Sequence, residues 1–334
     1  MCDGLLQGAL SADSWFRIAD MLGFMLFAQR SDARISWFNT WHDMVNGRFS
    51  EWLDSGYQYL SGTSSKQQPY LMNQTLDYIR RQNTKTALIV MDGMSFADFH
   101  VLKRCLTAMG VHSTGLFSFI PSITSVARQS LFSGRVPAEH EKPFSLQNEE
   151  KQWRAYWTEN GFRDHEVAFV KNESPELPSY TKIAGIVINI VDDLMHSELQ
   201  GGVGMCRSLS TWLEGGSLQR LLRKLRDEGY TVYMTADHGN TTAVAQGRFL
   251  KPNVITENAS RRAAIYQGFA GAEELDKFSV SEYTGAYLPS GYRYFTFDPH
   301  CCYGEAGTEY VSHGGRTIEE MIVPFVRIGE KLNG

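Results

Sequence analysis

Three apolar runs in this sequence each lead into side chains that bind metal ions. Ala87–Met91 (ALIVM) is followed by Asp92. Gly185–Val191 (GIVINIV) is followed by Asp192, with His196 four residues further on. Tyr230–Thr235 (YTVYMT) leads through Ala236 to Asp237, His238 and Gly239, and Ser312-His313-Gly314-Gly315 lies near the end. Together they supply three aspartates and three histidines, a hard-to-borderline donor set that suits Zn²⁺ or Mn²⁺. Taken singly, each has an ordinary alternative: a turn, a surface i, i+4 pair, a glycine-flanked loop. The ordered set is what singles them out. A second feature is Pro121-Ser122-Ile123-Thr124-Ser125, which opens a helix-compatible stretch ending at Gly134. A hydroxyl at a helix N-terminus is usually a cap. Beside bound cations it becomes a candidate nucleophile, activated by coordination, with helix N–H groups to hold phosphate oxygens.

These residues need a scaffold that delivers them to one place. Buried apolar runs alternating with helical patterns predict a mostly parallel sheet with helices on both faces, and such sheets bind ligands beyond the carboxyl ends of their strands. From Thr86 onward the sequence predicts strands over Ala87–Met91, His112–Ile120, Glu166–Lys171, Gly185–Val191, Tyr230–Thr235 and Ile322–Ile328. Helices are predicted over Ser95–Met109, Thr124–Phe132 and Leu209–Arg226, and short antiparallel strands within 245–300. Residues 1–84 differ. They are rich in Trp, Phe and Tyr with helical spacing of apolar positions, and read as a helical N-terminal segment ending in a further helix near Tyr70–Arg81. The expected domains are thus 1–84 and 85–334.

The 334 residues hold 37 acidic and 32 basic side chains, a net charge of −5, with 43% hydrophobic residues. This is a globular composition. Its slight acidity argues against gripping nucleic acid by bulk charge. Five scattered cysteines without a C-x-x-C suggest a reducing compartment, and the adjacent Cys301 and Cys302 read as loop thiols. No apolar stretch near the start is long enough to span a bilayer, and residues 1–10 lack a basic secretory n-region. The expected location is the cytoplasm.

The motifs MDGMS at 91–95, PSITSVARQSLFSG at 121–134, Asp192 with His196, TADHGN at 235–240 and SHGG at 312–315 resemble those of the alkaline phosphatase superfamily. Within it the sequence is most similar to the PglZ domain of bacterial phage-defence (BREX-type) systems and some response-regulator effectors. The resemblance covers about 86–330. It implies a three-layer αβα sandwich and two divalent metal ions, expected to be zinc, with manganese the other candidate. One ion would take Asp92, Asp237, His238 and Thr124, the other Asp192, His196 and His313. Thr124 is the implied nucleophile: in phosphodiesterase members it stands three residues after a proline and ten before a glycine, as Thr124 does between Pro121 and Gly134. A sulfatase signature and a phosphoglycerate mutase insertion are both missing. Val126-Ala127-Arg128 departs from the Pro-Asn-His of eukaryotic-type phosphodiesterases, which leaves Arg128 and Asn189 as substitute phosphate contacts or as ordinary surface and capping residues.

The resemblance implies a metal-dependent phosphodiesterase acting on nucleic acid or an oligonucleotide through a phosphothreonine, with other phage-defence proteins as partners. The alternatives are a phosphomonoesterase and an assembly module of a defence complex. No zinc finger, helix-turn-helix or long basic run accompanies the site. His42, His100, His112, His140, His165 and His300 have no place in the pattern and read as surface or packed residues. Two divalent ions would make the field at the site attractive to phosphate despite the net charge, and a metal-free site should repel it.

Overall fold

A computed structural model describes residues 6, 8, 10–30, 37–63, 67–106, 109–197, 200–248, 254–255, 260–268 and 272–329. Its centre is a six-stranded sheet in the order β2, β13, β5, β1, β4, β3. These strands are β1 (Thr86–Met91), β2 (Val111–Phe117), β3 (Val167–Val170), β4 (Ile183–Ile188), β5 (Thr231–Thr235) and β13 (Ile322–Ile328). β1 pairs in parallel with both β4 and β5, and β3 with β4. β13 runs antiparallel to β2 and β5. Five strands therefore share a direction, and every residue of β1 and β4 is buried. That is what continuous apolar runs demand when helices cover both faces.

Register shows the two faces. Gly115 of β2 sits opposite Pro324, and Thr114 opposite Phe325; successive residues of a strand point to opposite faces. On the Gly115 face lies Phe16 of α1 (Ala12–Arg30), so close that a Cβ on Gly115 would overlap its ring. On the Phe325 face, Tyr78 of α3 (Thr75–Gln82) packs edge-on against Phe325 and Tyr233. The same face carries Trp153 of α6 (Glu149–Glu159), which lies against Gly185 and Phe169. The αβα layering expected from the sequence is present.

The first 84 residues are mostly helical where described, with α1 and α2 (Phe38–Ser55) as their long helices. They do not stand apart: Trp15, Phe16, Trp41 and Phe49 belong to the same buried cluster as the sheet. The region 241–312 adds two small sheets. One holds β7 (Val254–Ile255), β8 (Ala263–Gln267), β9 (Val280–Tyr283) and β10 (Tyr292–Phe297). The other holds β6 (Thr241–Ala245), β11 (Cys301–Cys302) and β12 (Glu309–Ser312). Among the described residues, no helix is long and apolar enough to cross a membrane.

Two expected elements are each divided in the structure, and β2 ends at Phe117 where the sequence predicts a strand to Ile120. The run Gly185–Val191 is not one strand: β4 ends at Ile188 and α7 (Ile190–Ser197) begins two residues later, so Asp192 sits in the first turn of a helix. An apolar run does not reveal by periodicity where strand gives way to helix. Leu209–Arg226 is likewise two helices, α8 (Gly201–Glu214) and α9 (Ser217–Asp227). They break at Gly215-Gly216, where Gly216 adopts φ 73°, a left-handed conformation that glycine reaches without strain. Because Phe16 is buried in the common core, Phe16→Ala is expected to lower stability by about 3–5 kcal/mol in urea denaturation. A loss below about 1 kcal/mol would show that α1 is not part of that core.

Candidate active site

Four loops converge beyond the carboxyl ends of the sheet. The turn after β1 carries Asp92 and Gly93, whose φ of 74° bends the chain back. Gly93 then donates its N–H to Asp237 Oδ1 at 3.1 Å. Asp237 and His238 follow β5, and the His238 N–H also donates to Asp237 Oδ1, at 3.0 Å. Thr124 is the first residue of α5 (Thr124–Ser133), and His313 follows β12. Asp92, Asp237 and His238 are buried, and their ligand atoms lie within 4.8 Å of one another.

The histidine tautomers are set by the backbone. His238 Nδ1 lies 2.9 Å from the Gly239 carbonyl and His313 Nδ1 lies 2.9 Å from the Ser122 carbonyl. Each Nδ1–H donates there, which leaves each Nε2 with a lone pair for a metal or a donor. Thr124 Oγ1 lies 3.0 Å from His238 Nε2 and donates its proton to it. The two imidazoles stack with centroids 3.9 Å apart and planes 13° from parallel. His313 Nε2 and Asp92 Oδ1 are buried without a hydrogen-bond partner. Orphaned acceptors of this kind fit a divalent cation.

Arg128 also enters this centre. From the second turn of α5 its guanidinium bonds Asp92 and donates through Nε to Asp237 Oδ2 at 3.1 Å. The same Nε lies 3.4 Å from Glu149 Oε1, and Glu149 is paired in turn with the half-exposed Lys171. Arg128, which the sequence leaves as either a phosphate contact or an ordinary surface or capping residue, is buried here and bonded to carboxylates. Burial and the charge of Asp237 push the Asp92 pKa well up, against the pull of Arg128. For Asp237, burial also acts upward, but His238, Arg128 and the Gly93 N–H outweigh it and hold the carboxyl far below its usual range. The pair titrates as a unit, with Asp237 carrying the charge first.

The second ligand set is less assembled. Asp192 and His196 form an i, i+4 pair with Oδ1 and Nε2 3.3 Å apart, and His196 is exposed. His313 is fully buried. These three do not lie within mutual ligand distance, while among the described residues two other sets do: the Asp92 set and a cluster of His42, Asp43 and His300. Asn189 is exposed just before α7, where its carbonyl accepts the Asp193 N–H.

Several further residues brace these loops. Asp98 accepts from Ser95 Oγ at 2.6 Å and from Asn240 Nδ2 at 2.5 Å, and Asn240 also donates to the Gly93 carbonyl. This ties the Asp92 loop to the Asp237 loop. Asn240 was visible within TADHGN; of Asp98 only the local cap with Ser95 was. Ser122 Oγ donates to the Gly315 carbonyl and accepts the Gly314 N–H, joining the Thr124 and His313 loops. Glu320 accepts from Arg262, Gly315 and Thr317.

The family model described as the BREX system PglZ alkaline phosphatase-like domain matches residues 71–328. No curated protein matches the sequence. Among solved structures, murine ectonucleotide pyrophosphatase/phosphodiesterase 5 is similar, with a TM-score of 0.53 at 13% identity over 73% of this chain and 88% of that one. Phosphonoacetate hydrolase from Sinorhizobium meliloti 1021, in complex with phosphonoformate, gives 0.50 at 14% identity over 75% and 92%. At such identities the likeness is one of fold.

Burial, and then the neighbouring His238, push the His313 pKa from 6.5 down to about 3. The unfolded chain therefore binds a proton below about pH 6.5 that the folded chain refuses until about pH 3. Stability is complete above this window and falls as pH drops through it. His313→Gln is expected to lose less stability than the wild type between about pH 7 and about pH 4.5 in urea denaturation. Equal losses would contradict the assignment of a neutral, buried imidazole.

Proposed function

Because the chain belongs to the PglZ family of alkaline phosphatase-like domains, we propose that it is a metal-dependent phosphodiesterase with Thr124 as its nucleophile. The family and the fold of its neighbours support a phosphoric-ester hydrolase. The single observation that carries the finer reading is Thr124 Oγ1 beside His238 Nε2, on the rim of the buried Asp92–Asp237–His238 set. Asp92, Asp237, His238 and Thr124 would hold one divalent cation, and Asp192, His196 and His313 a second. When bound, such ions lower the pKa of a coordinated hydroxyl and neutralise phosphoryl oxygens. Zinc suits this donor set, and manganese is the other candidate.

The protein's own residues do the rest. Thr124 is fixed at the start of a ten-residue helix, whose N-terminal dipole favours the negative phosphoryl group. Its Oγ would attack phosphorus as the P–O bond to the leaving group breaks, the hydroxyl proton passing to water and the leaving oxygen taking one up, and water would then hydrolyse the phosphothreonine to release the phosphomonoester and restore Thr124. Arg128, bonded to Asp92, Asp237 and Glu149, and the exposed Asn189 would be the contacts to phosphoryl oxygens. Nucleic acid or an oligonucleotide is the proposed substrate, in a phage-defence or signalling setting within the cytoplasm, with other defence proteins as partners.

Thr124→Ala and Asp237→Ala are expected to reduce turnover of a bis-aryl phosphodiester by about a thousand-fold or more, with far-ultraviolet circular dichroism unchanged. Undiminished turnover in either variant refutes the assignment. The wild type should hydrolyse the diester faster than the matching aryl monoester; the opposite ranking would make it a phosphomonoesterase.

A further inference from the structure

His42, Asp43 and His300 lie together on the side of the molecule where α2 meets the small β6–β11–β12 sheet. Their ligand atoms are within 4.8 Å of one another. His42 and Asp43 come from α2, and His300 from the turn between β10 and β11, 257 residues after Asp43. The imidazole centroids of His42 and His300 are 5.1 Å apart, and His300 Nε2 lies 2.7 Å from Asp43 Oδ1. None of these residues belongs to the phosphoryl site.

The cluster is built rather than incidental. His42 is buried, stacked on Phe38 with planes 13° from parallel, and its Nε2 is bonded to the buried carboxylate of Glu319. Asn46 braces that carboxylate through Nδ2 and accepts the Ile318 N–H at 3.0 Å. A carboxylate on one imidazole nitrogen is the arrangement that orients a metal-binding histidine and raises its basicity; here it leaves Nδ1 for a cation. His300 is held with φ 65°, and its carbonyl accepts the Val244 N–H at 2.8 Å. A cavity of about 340 Å³, lined in part by His42, His300, Arg30 and Glu309, opens beside the cluster and has room for water ligands.

We propose that His42, Asp43 and His300 form a separate site for Zn²⁺ or a similar borderline divalent cation, which clamps the N-terminal helices to the C-terminal part of the fold. Two imidazoles and one carboxylate are the ligand types of such ions, and three protein ligands leave a position for water. The clamp reaches the active-site loops indirectly. Glu319, which bonds His42, presents its backbone carbonyl to Gly239, where any Cβ would overlap it; Gly239 directly follows His238. A cation here would therefore stabilise the same loop that bears two proposed catalytic ligands.

The test is a zinc titration of the metal-stripped full-length protein, followed by calorimetry and by the thermal unfolding midpoint. His300→Asn removes the imidazole while asparagine tolerates the left-handed backbone, and Asp43→Asn removes the exposed carboxylate. Each variant is expected to bind one zinc equivalent fewer than the wild type and to show a smaller zinc-induced rise in midpoint. Asp237→Asn, altered only in the phosphoryl site, should keep the equivalent that His300→Asn loses, which separates the two sites. Equal stoichiometry and equal zinc-induced shifts in wild type, His300→Asn and Asp43→Asn would overturn the proposal, as would a wild type that takes up no saturable zinc.

Discussion

Two carboxylates, Asp92 and Asp237, are buried side by side, and the rest of the site follows from that placement. Like charges in a low-dielectric interior raise each other's cost unless positive charge is brought in with them. Arg128 supplies it, bonded to both aspartates and backed by Glu149. Glu149 would itself be an uncompensated buried charge without Arg128 and Lys171. Charge thus alternates from the core to the surface: aspartates, arginine, glutamate, lysine.

The same constraint explains why so many polar residues are spent on bracing loops. A metal or phosphoryl site works only if its ligands are held in place before the ligand arrives. Asp98 and Asn240 join the loops after β1 and β5. Ser122 joins the loops bearing Thr124 and His313. Ser118 Oγ donates to the Asp237 carbonyl at 2.6 Å. The N-terminal helices take part as well: Arg30 of α1 pairs with Asp98, and His42 of α2 with Glu319. The aromatic first segment therefore supports the site from behind, which is one physical reason for it to share the sheet's core.

Much of this was legible in the sequence because of where the chemistry sits. Asp92 and Asp237-His238 each follow a continuous buried run, and such a run both predicts a parallel strand and fixes which end of the sheet its last residues reach. Thr124 was legible as the first residue of a helix, between Pro121 and Gly134. Asp192 lies in the first turn of a helix and not after a strand, since α7 begins inside an apolar run that reads equally well as strand. Asp98 and Glu320 end Ser-x-x-Asp and Thr-x-x-Glu caps, a local signal that reveals nothing of their longer-range partners. Glu149 and Glu319 were not legible at all: their partners lie on other elements, as far away as the 277 residues between His42 and Glu319, and a lone acidic residue in sequence looks the same whether it faces water or a buried guanidinium. The role of Arg128 is a further case: its position within PSITSVAR was visible, while its engagement with three carboxylates is a tertiary fact.

The central claim is that the buried Asp92–Asp237–His238 set, with Thr124, works only with bound divalent metal. The most direct measurement is diester turnover by the metal-stripped protein as Zn²⁺ or Mn²⁺ is added back, with bound metal counted at each step. The account predicts negligible turnover without metal and a rise that saturates as the site fills. Turnover that is the same in the stripped and reconstituted protein would contradict it.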